Sequence, residues 1–330
     1  MSYKRNTILF IVLSVLCIAL FLLDILFGSI FIPISALFDN TDAIYREILL
    51  NFRLPKAVTA VVAGGAISLA GLVMQTLFRN PLAEPYVLGI SSGAGLGVAV
   101  FLMMSSLLPS ILMQSGWGLI LAATTGAILV LLIVLGASFK LRQAVSLLIV
   151  GIMVGQIAGS LISILQNYSN PDSLKLYIVW TFGSLSAVTW TYMKIMLPII
   201  FLGILIVFSI QKPLNGLLLG EHYAQGLGIS IRQTRILSVF ATALLAGATT
   251  AFTGPIAFIG IAVPHFVRRL FHTSNHRITI PATLLCGSVL LLLCDLATQI
   301  PPQGYTLPIN AISALVGAPT VIWIILKNKK

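Results

Sequence analysis

The residues able to do chemistry in this chain are few, and most stand in apolar surroundings. Asp24 and Asp295 are acids embedded in hydrophobic runs. An ionisable group inside a membrane is a functional hypothesis by default, with a proton relay as its first form. Each acid is isolated from basic residues along the chain, and a hydrogen-bonded structural role is the plainer reading of both. Gly89-Ile-Ser91-Ser-Gly93 matches the G-x-S-x-G nucleophile elbow. That motif needs a strand-to-helix turn, whereas a proline-broken loop precedes it here, so a helix start built from small residues is the stronger reading of Ser91. His272 and His276 are four apart, yet zinc wants three or four protein ligands and the segment between them is polar and loop-like. His222 and His265 read as interfacial. Cys17, Cys286 and Cys294 are scattered in apolar runs and form neither a disulfide framework nor a metal-ligand spacing. No metal site is expected. No G-x-x-x-x-G-K-[ST] phosphate cradle occurs, so any ATP hydrolysis must come from another subunit.

The elements that must position these residues are long apolar runs. The chain has 330 residues, 58% of them hydrophobic and 8% charged, with a mean hydropathy of +1.06; a soluble domain carries about 25% charged residues. The composition therefore predicts an all-α integral membrane protein, since lipid offers no partner to exposed backbone groups and only helices or closed barrels cross it. About 20 residues suffice for a span. With no long polar segment, one transmembrane domain, 1–330, is expected, in contact with lipid along most of its length.

Asn51 to Gly97 organises the rest. A basic corner, Arg53-Leu-Pro-Lys56, precedes an apolar run from Ala57 to Phe78. The run breaks at Asn80-Pro-Leu-Ala-Glu-Pro85, because Pro81 and Pro85 force the residues before them out of helical geometry. In chain order, spans are expected at Thr7–Ile32, Ala57–Phe78, Val87–Leu108, Leu119–Phe139, Val145–Leu165, Met193–Ile210, Ile236–Phe252, Ile256–Leu270, Ile278–Ile300 and Ile309–Leu326. Ser173–Trp190, with Gly183 and two Trp, reads as a short interfacial or re-entrant piece. With both termini in the cytoplasm, fourteen of the 19 Lys and Arg fall inside; Arg46, Arg53, Lys56, Lys175 and Lys194 fall outside. The positive-inside rule accounts for that bias and for the net charge of +11 without a nucleic-acid partner.

Two further patterns bear on function. Gly151, Gly155, Gly159 and Ser163 recur every four residues on one face of the fifth span. Such a face serves close helix packing or forms a smooth wall for a wide conduit. Gln211 to Arg235 is the largest expected cytoplasmic excursion, an apolar-polar mixture cornered by Gly220, Gly226 and Gly228. It reads as short helices along the membrane face.

Taken together, these residues resemble the permease subunits of bacterial ABC importers for iron-siderophore complexes, haem and cobalamin. The resemblance rests on Arg53–Lys56, Gly71-Leu-Val-Met-Gln75, Asn80–Pro85, Leu88–Gly93, Gly220–Gly228, Gly254-Pro-Ile-Ala-Phe-Ile-Gly260, Val263-Pro-His265 with Arg268, and Gly317-Ala-Pro319. It implies ten transmembrane helices with inverted-repeat topology and a homodimer in the bacterial inner membrane. Two cytoplasmic ATPase subunits would carry the ATP and Mg, this chain holding no cofactor of its own, and a substrate-binding protein would dock outside. It implies docking by Arg53 and Lys56, an inner gate at Asn80 and Leu82, and a path lined by the Gly151–Ser163 face. ATPase coupling would fall to Leu219, Gly220, Glu221, Ala224, Gly226, Leu227 and Gly228. Lys56 stands where arginine is commoner. The expected cargo is a bulky metal chelate, ferric siderophore first, haem and cobalamin next. The competing expectation is a proton-coupled secondary transporter working through Asp24 or Asp295; an intramembrane hydrolase using Ser91 is more remote.

Overall fold

The computed structural model describes residues 2–28, 43–104, 116–141, 143–301 and 306–327. Among them every regular element is helical. Ser2–Leu26 forms α1, and the short α2, Ala43–Glu47, runs through a wider π turn, Ile48–Arg53, into α3, Leu54–Leu77. The chain continues through α4 (Ile90–Met103), α5 (Gly116–Lys140), α6 (Ala144–Tyr168), α7 (Pro171–Thr181) and α8 (Trp190–Ser209). Two short helices follow, α9 (Gln211–Leu219) and α10 (Glu221–Gly226). Next, α11 (Ile231–Thr242) joins α12 (Ala248–Thr253) through a π turn, before α13 (Ile259–Phe271), α14 (His276–Thr298) and α15 (Ile309–Lys327).

The hub is α3, most of whose residues are buried, and α1, α8, α11, α13 and α14 all pack on it. Its Val-Ala-Gly-Gly-Ala-Ile-Ser-Leu-Ala-Gly sequence makes this possible. In lipid, helices associate through close van der Waals contact, which small residues permit. A Cβ at Gly64 would run into the Gly287 backbone, and one at Gly71 into the Gly260 carbonyl. The same apolar character continues on the outside of the bundle, where α1, α6 and α8 present rows of exposed Ile, Leu, Val and Phe. That is the pattern of a lipid-facing or partner-facing surface.

Seven described helical segments are long and apolar enough to cross a membrane; Ile90–Met103 and Ile309–Ile322 are shorter apolar helices. The expected eighth span differs most. Gly254 takes a left-handed φ of 74°, the chain stays non-helical through Phe258, and α13 has only 13 residues. At 1.5 Å each these reach about 20 Å, short of a hydrocarbon core of about 30 Å. Glycine at 254 permits the left-handed bend, and Pro255 cannot continue the helix. The expected third and first spans run on to Leu108 and Ile32, beyond the described residues.

Two halves of the chain follow one order of elements. A long helix (α3), a break, the short α4, then α5 and α6 are matched by α11–α12, a break, the short α13, then α14 and α15. This is the element order of an inverted repeat, the arrangement in which broken helices mark the working centre. Between the halves, α7 starts on an Asn170 cap, whose side chain accepts from the Ser173 N–H at 2.8 Å, and it ends before Gly183 at φ 72°.

Candidate functional site

At one end of the bundle, Lys56 lies one turn into α3. Its Nζ is 2.8 Å from Asp295 Oδ2 on α14 and 3.6 Å from Asp24 Oδ1 on α1. The lysine side chain is 14% exposed, those of Asp24 and Asp295 0% and 5%. Gln299 Nε2 donates to Asp24 Oδ1 at 3.2 Å. Beside them, Arg53 Nη1 donates to the carbonyls of Ile25 and Leu26 at 2.9 and 2.6 Å. Carbonyls at a helix end lack intrahelical partners and carry the negative pole of its dipole, so a guanidinium suits them. The two acids are therefore not isolated, as their sequence positions suggest. Packing of α1, α3 and α14 brings both onto one lysine, and the charges of both members of the basic corner are engaged within the chain.

At the opposite end, Arg79 closes the α3 terminus with φ 47°, and Asn80 Oδ1 accepts the Leu82 N–H at 2.9 Å to tighten the turn. Leu82 is exposed at its tip. The loop then reaches inward to the second break. Glu84 Oε1 accepts the Phe258 N–H at 2.8 Å. Tyr86 donates its hydroxyl to the Ile256 carbonyl at 2.8 Å and accepts the Ile256 N–H at 3.1 Å. From α15, Asn310 Oδ1 accepts the Ala257 N–H at 3.1 Å, and its Nδ2 donates to the Thr181 carbonyl at 3.3 Å. Non-helical backbone deep in a membrane protein must find internal partners, and these three side chains supply them. His265 Nε2 lies 3.0 Å from the Pro81 carbonyl, holding α13 to the same loop.

The glycine face of α6 divides in two. A Cβ on Gly151 would meet Leu88 Cα at 2.8 Å, and one on Gly155 would meet Ser92 Oγ at 3.4 Å. A Cβ on Gly159 would meet nothing within 4 Å, and the exposed Ser163 turns its hydroxyl to the Gly159 carbonyl at 3.0 Å. The first two glycines let the Leu88–Gly89 turn approach; the last two positions border open space. A cleft of about 540 Å³ opens nearby between α4, α5 and α6, lined by apolar side chains and Gly93, Gly97 and Gly126.

The expected excursion is present as α9 and α10, cornered by Gly220 at φ 125° and Gly228 at φ 78°. Leu214, Leu217 and Ala224 are buried on one side, while Leu219, Tyr223 and Leu227 are about 60% exposed on the other. Gly226 and Gly228 have no neighbour that a Cβ would touch. Glu221 Oε1 pairs with Arg235 Nη2 at 3.4 Å, and Arg235 Nη1 donates to the Leu141 carbonyl at 2.8 Å.

The weaker candidates fall away. Ser91 lies in the first turn of α4 after the left-handed Gly89, with no strand among the described residues, so the elbow geometry is absent. His272 ends α13 and His276 begins α14, so they share no helix face, and no group of three or more metal-ligating side chains occurs among the described residues. Cys286 and Cys294 are buried, Cys17 is half-buried, and all three are free thiols. Sequence reasoning missed Glu84, Tyr86, Arg79 and Asn310 as organising residues. Glu84 lies inside a recognised motif; the others carry no sequence signal, because their partners are mostly backbone groups distant in the chain.

A helical bundle with two broken half-helices, a charge cluster at one end and a partly apolar excursion at the other defines a multi-pass membrane permease. The chain belongs to the FecCD transport family, whose model matches residues 16–327. It is 35% identical over 329 residues to the vitamin B12 import system permease protein BtuC of Salmonella typhi, covering 99% of this chain and 97% of that protein. It is 33% identical over 324 residues to the uncharacterized ABC transporter permease protein YvrB of Bacillus subtilis (strain 168), covering 94% and 90%. Among solved structures, an inward-facing metal-chelate type ABC transporter superposes with a TM-score of 0.86 at 27% identity, covering 97% of this chain and 99% of that one. PsaBC from Streptococcus pneumoniae, at 16% identity and a TM-score of 0.56, shares the fold over 84% of this chain. The protein is thus a membrane permease of the FecCD transport family, a transport subunit rather than a catalytic one.

Proposed function

We propose that this chain works as a homodimer in the bacterial inner membrane, both termini cytoplasmic, with two ATPase subunits below and a substrate-binding protein above. The observation that carries this reading is the α9–α10 segment. Leu219, Tyr223 and Leu227 stand exposed on short helices whose other side is buried, at the end of the bundle that holds the Asn80–Leu82 turn. Exposed apolar side chains on a polar excursion suit docking into a cleft of another protein. ATP and Mg would belong to that partner. ATP binding there shifts the dimer between outward-open and inward-open states, which requires that the ATPase and the binding protein favour different states.

The cargo is a bulky metal chelate. The family resemblance puts ferric siderophore first with haem and cobalamin next, while the names of the BtuC relatives bring cobalamin forward. Gly159 and Ser163 border the path, with Gly151 and Gly155 seating the Leu88–Gly89 turn against it. Binding-protein docking by Arg53 and Lys56 requires each to offer its outer edge while held by α1 and α14. The proton-coupled alternative through Asp24 or Asp295 meets one lysine, Lys56, held against both acids, which is a local pairing rather than a relay running through the bundle.

The test is co-purification with the ATPase, followed by uptake of cyanocobalamin, a ferric hydroxamate and haemin into proteoliposomes carrying the binding protein. Replacing Leu219 and Leu227 by Glu should abolish co-purification and ATP-dependent uptake while the permease stays folded. Unchanged uptake in that variant, or uptake driven by a proton gradient without ATP, refutes the proposal.

A further inference from the structure

Docking of an ATPase on α9–α10 explains where force enters, and the last turn of α3 suggests how it leaves. Arg79 donates from both Nε and Nη2 to the Leu217 carbonyl, at 3.2 and 3.1 Å. Leu217 belongs to the final turn of α9, where the dipole is negative, and its carbonyl also accepts the Gly220 N–H at 3.2 Å, leaving its second lone pair for Arg79. A planar guanidinium places two donors on one acceptor, which fixes direction as well as distance. The Gly220 corner is close as well, since a Cβ there would lie 3.3 Å from Arg79 Nη2. Arg79 also holds a left-handed φ of 47° without being glycine. Such a conformation persists only where its surroundings over-determine it, and Asn80, the first residue of the expected gate, follows directly.

A second tie runs in parallel. Asn215 Oδ1 on α9 accepts the His276 N–H at 2.8 Å and faces His276 Nδ1 at 2.8 Å. His276 Nε2 lies 3.0 Å from the Thr76 hydroxyl, again in the last turn of α3. Asn215 Oδ1, an acceptor, takes the Nδ1 proton of the ring, and Nε2 faces the Thr76 hydroxyl, whose single proton is shared with the Leu72 carbonyl at 2.9 Å. One turn of α3 thus grips α9 twice, while Arg268 Nη1 on α13 holds the neighbouring Gln75 Oε1 at 2.7 Å.

We infer that Arg79 is the positioning residue that makes the Asn80–Leu82 gate follow α9, with the Asn215–His276–Thr76 chain as a parallel strut. The inference rests on the ATPase-docking reading, and the experiment separates the two. The gate is read by maleimide labelling of Leu82→Cys, in full-length permease with Cys17→Ala, reconstituted with its ATPase and compared without nucleotide and with ATP and vanadate. In the Arg79-containing protein the labelling rate should change severalfold on nucleotide trapping; if the ATPase neither binds nor alters it, the docking reading itself fails. In Arg79→Ala the ATPase should still co-purify and hydrolyse ATP, and the nucleotide-dependent change should fall at least fivefold. Arg79→Lys, which keeps one donor for Leu217, should recover part of it. Should Arg79→Ala not fold, Asn215→Ala must show the same uncoupling in weaker form. A nucleotide-dependent change retained within twofold in Arg79→Ala, or in Asn215→Ala where that variant stands in, overturns the inference. So does loss of ATPase binding by a folded Arg79→Ala, since Arg79 would then shape the docking surface rather than transmit through it.

Discussion

Replacing Lys56 by methionine keeps the length and most of the volume of the side chain but removes the charge between Asp24 and Asp295. At 2.8 and 3.6 Å, and with an effective dielectric near 20, the gross attractions are about 6 and about 5 kcal/mol. Desolvation of this nearly buried cluster, together with the mutual repulsion of the two neighbouring acids, consumes most of that, so the cluster contributes little beyond an apolar replacement. Removing one partner is another matter, because it leaves uncompensated carboxylates among apolar helices. Loss of Lys56 should therefore cost about 3–5 kcal/mol, the usual range for a broken buried pair. Equilibrium unfolding by SDS in mixed micelles, followed by circular dichroism, measures it. The triple variant Lys56→Met, Asp24→Asn, Asp295→Asn should recover most of the loss, because amides carry no charge to bury. Lys56→Met with stability within about 0.5 kcal/mol of the parent would refute the reasoning, since surface substitutions fall in that range. It would point instead to a lysine whose charge serves only an external partner. A triple variant no more stable than the single one would refute it equally.

Other substitutions probe the remaining joints, each read by the same unfolding measurement. Gly71→Ala drives a methyl group into the Gly260 backbone and should destabilise by about 1–3 kcal/mol, as overpacking does. Glu84→Gln keeps an oxygen for the Phe258 N–H and should be tolerated, whereas Glu84→Ala orphans that buried donor at a cost of about 1–3 kcal/mol. Gly151→Ala collides with the Leu88 turn and should destabilise, while Gly159→Ala meets open space and should leave stability unchanged. If Gly159 borders the path, proteoliposomes should then show slower uptake for Gly159→Ala alone; equal uptake would remove it from the path.

What the sequence determined by itself was everything set by local apolarity and local backbone chemistry. Long hydrophobic runs have one outcome in lipid, so α1, α3, α5, α6, α8, α14 and the α11–α12 segment were legible as helices. The proline-bearing breaks at Asn80–Pro85 and Gly254–Pro255, and the glycine corners of α9–α10, were legible for the same reason. Motif order carried the family. The tertiary structure decided which side chains meet. Nothing near Asp24 or Asp295 in the chain announces Lys56, because that meeting depends on how α1, α3 and α14 are rotated against one another. The partners of Arg79, Glu84 and Tyr86 are main-chain atoms of Leu217, Phe258 and Ile256, and every residue carries such atoms, so no residue type marks them. The α6 face reads as one glycine stripe in sequence, yet only packing could divide it, since close contact at Gly151 and open space at Gly159 differ in what stands opposite.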